Sequence, residues 1–181
     1  MDINKLKFTS LQQEILSFLF ANLGEIFNQR ELARKVGKSP TAIAKATKLL
    51  EKEKLIKISK DKSSGISRIE LDLDNKRVIE MKRVDNLRTI YESGLFDFLE
   101  DKFLGNTIVL FGSYSFGEDV KDSDIDLAII GSKEEDLNLT KFEKIFGKEI
   151  RIQFYPNLKE VHKNLKENLF NGILLSGGFS L

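Results

Sequence analysis

Apolar residues in the first fifty positions recur at helical spacing and are punctuated by short polar signals. Leu11, Ile15, Phe18, Leu19 and Phe20 predict a first helix over about 11–23, opened by Ser10-Leu11-Gln12-Gln13 as a capping-box pattern. Asn28 is placed to cap a second helix with Leu32 and Val36 on its inner face, and Gly37 is placed to end it. Ser39-Pro40 then offers a cap and a first-turn proline for a third helix to about Glu53, with Ile43, Ala46, Leu49 and Leu50 as its inward stripe. The pattern next changes to short runs. Residues 54–58 and 66–71 predict two strands joined by a polar turn over 59–65. From Lys76 to Phe103 the spacing is helical again, through Val78, Met81, Val84, Leu87 and Ile90, with a break near Ser93-Gly94; this predicts a packing helix between two units that carries no chemistry of its own.

Beyond it, residues 107–111 and 125–130 are β-branched and apolar enough for buried strands. Residues 139–146 predict a short helix ended by Gly147, 149–155 an alternating strand, 157–170 a helix and 173–175 a last strand. Three or four strands with interleaved helices make a small α/β domain, of the α+β kind with a mixed sheet and flanking helices. The expected organisation is a unit over 1–75, a connector over 76–94 and a second unit over 95–181.

Charge adds a division of labour. The net charge of the 181 residues is +1, yet residues 1–80 carry 16 basic against 11 acidic side chains, and residues 81–181 carry 13 against 17. Twelve bases fall between Arg30 and Arg68, facing only Glu31, Glu51, Glu53 and Asp61. A basic first unit beside an acidic second one predicts two jobs on one chain. With no cysteine and one histidine, disulfide frameworks, thiolate zinc sites, zinc-hydrolase centres and thiol-protease centres are excluded. The histidine, His162, reads as a surface residue. No apolar run approaches the roughly 20 residues of a membrane span, and Met1-Asp2-Ile3-Asn4 does not open a signal peptide, so a cytoplasmic chain without a membrane partner is expected.

Two helices joined by Gly37-Lys38-Ser39, followed by a hairpin, resemble the winged helix-turn-helix family over about residues 8–74. On the third helix, Thr41, Lys45, Lys48 and Lys52 line a face away from the inward stripe. The three ammonium groups suit phosphate contacts with double-stranded DNA, and Thr41, near the helix start, could reach a base edge.

The second unit holds a denser signal. Gly112-Ser113 follows a predicted strand, and Ser123-Asp124-Ile125-Asp126-Leu127 opens the next one. Because strand side chains alternate, Asp124 and Asp126 are expected on one face while Ile125 and Leu127 enter the core. These residues, with Gly117, resemble the signature of the DNA polymerase beta-like nucleotidyltransferase superfamily, particularly its minimal one-domain members. The resemblance implies that Gly112 and Ser113 bind nucleotide phosphate, that Ser123 steadies the turn beside them, and that Asp124 and Asp126 are the catalytic, metal-holding carboxylates. It implies Mg²⁺ or Mn²⁺ as cofactor, and a nucleoside triphosphate, ATP being the expected one, as the source of a transferred nucleoside monophosphate. The acceptor stays open among protein, nucleic acid and small molecule.

One departure bears on activity. An active member carries a third carboxylate on a neighbouring strand, and here the matching position falls on Arg151 or Gln153. A guanidinium repels a metal ion, and an amide brings no charge. Glu149 shares their face but lies roughly 7 Å along the strand from Arg151. Two readings therefore stand: a nucleotidyltransferase with a DNA-binding N-terminal domain, or a catalytically weak or inactive nucleotide-sensing regulator or antitoxin with a toxin partner.

Overall fold

The computed structural model describes residues 8–61 and 65–179, so residues 62–64 of the expected 59–65 turn lie outside the described residues. The chain divides into two compact units, Met1–Ile79 and Glu80–Leu181.

The first unit runs α1 (Ser10–Ala21), α2 (Gln29–Val36), α3 (Pro40–Lys52), β1 (Ile56–Lys60) and β2 (Ser67–Leu71). The cap of α1 is Thr9 rather than Ser10: Thr9 is extended, the Gln12 N–H donates to its Oγ1 at 3.3 Å, and its own N–H donates to Gln12 Oε1 at 2.9 Å. Thr9-x-x-Gln12 satisfies the capping-box rule as well as the register one residue later, and only one can close the first turn. Asn28 caps α2 as expected, its Oδ1 accepting from the Arg30 and Glu31 amides at 3.0 and 2.9 Å. Gly37 ends the helix at φ 68°, a left-handed conformation that costs glycine little. Ser39 accepts from the Ala42 amide at 3.2 Å to open α3 behind Pro40.

The inward stripe of α3 differs from expectation at one position. Ile43, Ala46, Thr47 and Leu50 are buried, whereas Leu49 is 53% exposed. Positions 43, 46, 47 and 50 follow the 3.6-residue period, and 49 falls about a third of a turn away. Thr47 tolerates burial because its hydroxyl donates to the Ile43 carbonyl at 2.8 Å. At the other end, Lys54 adopts φ 57°, the Leu55 amide reaches back to the Leu50 carbonyl at 3.0 Å and the Lys54 amide to Glu51 at 2.9 Å. This left-handed stop occupies residues 54 and 55 and delays β1 to Ile56. β1 and β2 pair antiparallel from Ile56↔Leu71 to Lys60↔Ser67, and Phe27 adds an isolated bridge to Ile69. Ile15, Leu32, Ile43, Leu50, Leu55 and Ile69 make the centre of this unit.

The boundary between the units falls inside α4 (Lys76–Glu92). The second unit continues with α5 (Leu95–Lys102), β3 (Thr107–Phe111), α6 (Gly112–Phe116), β4 (Ile125–Ile130), α7 (Thr140–Phe146), β5 (Ile150–Tyr155), α8 (Lys163–Asn171) and β6 (Ile173–Ser176). Its sheet has the order β5-β4-β3-β6, with β3 antiparallel to both neighbours and β4 parallel to β5. One face packs Ile108, Leu110, Ile125, Leu127 and Ile129 against Ile90, Leu95 and Leu99; the other packs Val109, Phe111, Ala128 and Ile130 against Val161 and Leu169. β3 and β4 therefore pack apolar side chains on both faces, which is why residues 108–111 and 127–130 read as continuous hydrophobic runs.

Two expectations for this unit are corrected. The helix expected over 157–170 is divided into a 3₁₀ turn, Leu158–Glu160, and α8, because Val161 is extended and buried between them. His162 is exposed at the cap of α8. The stripe expected on α4 is also displaced: Val84 is 68% exposed, while Lys82 and Asn86 are buried in line with Ile90. The connector thus carries a buried ammonium where only packing was expected.

Candidate functional site

β3 ends at Phe111 and the chain turns at Gly112 into α6, a helix of five residues. Gly112 has φ 71°, and a Cβ placed on it would collide with Asp126 Oδ2. Glycine is required here twice, by the backbone and by the carboxylate lying against its Cα. Ladder register sets the approach, since Phe111 pairs with Asp126 across β3 and β4. The Gly112-Ser113 turn and Asp126 are thereby brought together, with Ser113 and Asp126 both half-buried.

Asp126 shares its face of β4 with Ala128 and Ile130, opposite the Ile125 and Leu127 face, as strand alternation requires. Asp124 differs from the expectation of two carboxylates on one strand, because β4 begins at Ile125 and Asp124 belongs to the preceding loop. Burial raises the Asp126 pKa above the ordinary carboxylate range, the neighbouring Asp124 raises it further, and Arg151 pulls it back.

The third position resolves onto Arg151. In the parallel β4–β5 ladder Asp126 is level with Arg151, whereas Gln153 is level with Ala128, further along the strand. The Arg151 Nη1 lies 2.7 Å from Asp124 Oδ2, and the same guanidinium meets Glu149 through Nε and Nη2 at 3.2 and 3.3 Å. Gln153 instead accepts from the Tyr155 hydroxyl at 2.6 Å. Among the described residues, no three histidine or acidic side chains converge in a manner that could hold a metal ion. Asp124 and Asp126 beside this guanidinium could hold one divalent ion. They do not supply the extra acid that a second ion needs.

The loop before Asp124 rests on charges that sequence reasoning missed. Lys82 Nζ lies 2.6 Å from Asp119 Oδ1, and Asn86 Nδ2 donates to the same oxygen at 2.7 Å. Asp119 Oδ2 pairs with Lys148 Nζ at 3.3 Å. All three charged side chains are at least nine-tenths buried. Burial drives the Lys82 pKa down, and its bond to Asp119 opposes the shift. Ser123 closes the loop, accepting the Val120 N–H on its Oγ at 3.0 Å. The only sign of this network in the sequence is spacing, with Lys82, Asn86 and Ile90 four apart on one helix face.

In the first unit Thr41, Lys45, Lys48 and Lys52 are all exposed on α3, and the three lysines make no ion pair among the described residues. Arg30 and Arg34 of α2 line a cleft with Pro40 of α3 and Ile66 and Ser67 at the start of the second strand, so basic groups border that cleft too.

Residues 92–175 match the family model described as "Nucleotidyltransferase domain". Over that span the second unit is similar to nucleotidyltransferase domains, and the first has the order of three helices and a hairpin that a winged helix-turn-helix has. Similar solved structures include the zinc-responsive MarR family member ZitR of Lactococcus lactis, with 28% identity, covering 54% of this chain and 65% of that one at a TM-score of 0.40. The adhesin competence repressor AdcR of Streptococcus pyogenes has 23% identity, coverages of 55% and 71%, and a TM-score of 0.41. An S. aureus MepR–DNA complex has 17% identity, coverages of 55% and 82%, and a TM-score of 0.42. The chain spans less than two thirds of the length of the ZitR structures it matches. No curated protein matches it. Among the described residues, no helix is long and apolar enough to cross a membrane.

Proposed function

We propose that this chain binds a nucleoside triphosphate, ATP being the expected one, at Gly112, Ser113, Asp124 and Asp126, and double-stranded DNA through α3, and that it transfers nucleoside monophosphate slowly or not at all. It is a DNA-binding regulator with a nucleotide-sensing domain. The observation that carries this reading is the Arg151 guanidinium, level with Asp126 and 2.7 Å from Asp124 Oδ2. A fixed positive charge stands where the transfer reaction needs an acid. Asp124 and Asp126 would hold a single Mg²⁺ or Mn²⁺, which when bound neutralises phosphate charge. The Gly112 turn would present backbone to the phosphates, and Ser123 serves the site by closing the loop. Arg151 is 56% exposed, so its pair with Asp124 is weak in stability terms and open to competition from a divalent ion.

Calorimetry with ATP, CTP, GTP and UTP in Mg²⁺ tests the binding claim. Wild type is expected to bind at least one of them, and Asp124→Ala/Asp126→Ala to bind none; equal binding by the two proteins refutes the site. Labelled nucleotides with Mg²⁺ or Mn²⁺ and candidate acceptors test the catalytic claim. The family match and the close packing of Asp126 on Gly112 favour the other reading, an active transferase. Rapid labelling of a hydroxyl on a partner protein, the toxin–antitoxin case, would establish it. Arg151→Asp should raise transfer from near background, because it restores the third acid.

A further inference from the structure

Lys148 sits just before β5 with its side chain only 6% exposed. Its ammonium donates to the carbonyls of Lys121 and Ser123 at 3.2 and 3.4 Å and to the Val120 carbonyl, and it pairs with Asp119 at 3.3 Å. Asp119 alone does not account for a cation here, because Lys82 already neutralises that carboxylate at 2.6 Å. A second buried ammonium beside one aspartate is costly to desolvate. The partners left to it are backbone carbonyls of the loop, which turn inward like ligands around an ion. Three N–H donors shared among four oxygens leave this ammonium fully engaged.

The next residue completes the grip. The Ile125 amide donates to the Glu149 carbonyl at 2.9 Å, so the chain is held on both sides of Asp124, by Lys148 at the Ser123 carbonyl and by Glu149 at the Ile125 amide. We propose that Lys148 is a positioning residue for the nucleotide site, a resident cation of the 119–123 loop that fixes the peptide delivering Asp124. This rests on the nucleotide-binding reading of Asp124 and Asp126. The loop has no helical or sheet ladder of its own between α6 and β4. Without the ammonium, its carbonyls lose their shared partner, and Asp124 loses its fixed approach to Asp126.

The test uses the full chain and the series Lys148→Arg, Lys148→Gln and Lys148→Met, with two measurements. Hydrogen exchange of the 119–124 amides, without ligand, reads the loop; calorimetry with ATP and Mg²⁺ reads the site. Lys148→Met should speed exchange and weaken ATP by about tenfold each, as loss of a charge-assisted contact predicts, with Lys148→Gln intermediate. Lys148→Arg keeps charge and donors and should stay within about threefold of wild type on both. Should Lys148→Met fail to fold, the Gln and Arg variants carry the comparison. Exchange and affinity within twofold of wild type in the neutral variants would overturn the proposal, as would an arginine variant no better than a neutral one. If wild type binds no nucleotide, the function proposed above fails, and the exchange rates decide the clamp by themselves.

Discussion

The lysines of α3 in the first unit and the cations around Asp119 and Asp124 in the second are held in opposite ways. On α3 of the first unit, Lys45, Lys48 and Lys52 face outward without an ion pair among the described residues. In the second unit Lys82 and Lys148 are buried on Asp119, and Arg151 is spent on Asp124 and Glu149. Unmatched surface cations attract a polyanion by themselves, while matched ones shape a site and add little to its reach. A polyanion approaching α3 would have only counterions to displace. A cation drawn to Asp124 would have to compete with a guanidinium already in place.

The comparison breaks most completely at Gly112. Gly112→Ala places a methyl group against Asp126 Oδ2 on a backbone at φ 71°, so the turn and the carboxylate cannot both keep their positions. Nucleotide binding should fall by at least about a hundredfold, with a stability loss of roughly 1–3 kcal/mol for the forced backbone. Calorimetry and urea unfolding of the same sample check both. Unchanged affinity would mean that Asp126 takes no part in the site.

Lys82→Met comes next. It removes the nearer of the two ammonium groups on Asp119 and leaves the carboxylate to Lys148 and the Asn86 amide. Losing this buried charge-assisted bond should cost about 2 kcal/mol, read as a shift in the urea midpoint at constant slope. Lys82→Met/Asp119→Leu should cost more than Lys82→Met alone, since it leaves Lys148 as a buried ammonium without its carboxylate.

The legibility of the two units follows the same contrast. Asn28, Gly37, Ser39 and Pro40 act on chain within a few residues of themselves, so the bounds of α2 and α3 could be read from the sequence. The same holds for Gly112-Ser113 at the end of a buried strand. Lys82 could not be read, because a lysine on a helix is ordinarily solvated, and its burial depends on Asp119, 37 residues away. The ambiguity between Arg151 and Gln153 was of this long-range kind too; only the pairing of Asp126 with Arg151 in the parallel ladder resolves it.

For the first unit, Lys45→Glu/Lys48→Glu should weaken duplex DNA binding by roughly a hundredfold at moderate salt and reduce the slope of log affinity against log salt by about 2. Gel shifts across a salt series measure both. A lowered affinity with an unchanged slope would place these lysines away from the phosphates, and unaltered binding would remove α3 from the interface.

The smallest effect is the most discriminating for the face of α3. Leu49 is 53% exposed and lies one turn from Lys45 and about one turn from Lys52, so it belongs to the outward side together with the lysines. Leu49→Ser should therefore change stability by less than about 0.5 kcal/mol, whereas Ile43→Ala, at a fully buried position, should cost about 3 kcal/mol. A helix is a rigid cylinder, so the burial of one residue fixes the direction of all the others. If Leu49→Ser cost as much as Ile43→Ala, α3 would be rotated by about a third of a turn, and Lys45 and Lys48 would no longer share an open face. Urea unfolding of these two variants thus tests the orientation on which the contrast between outward and inward cations depends, without any DNA in the experiment.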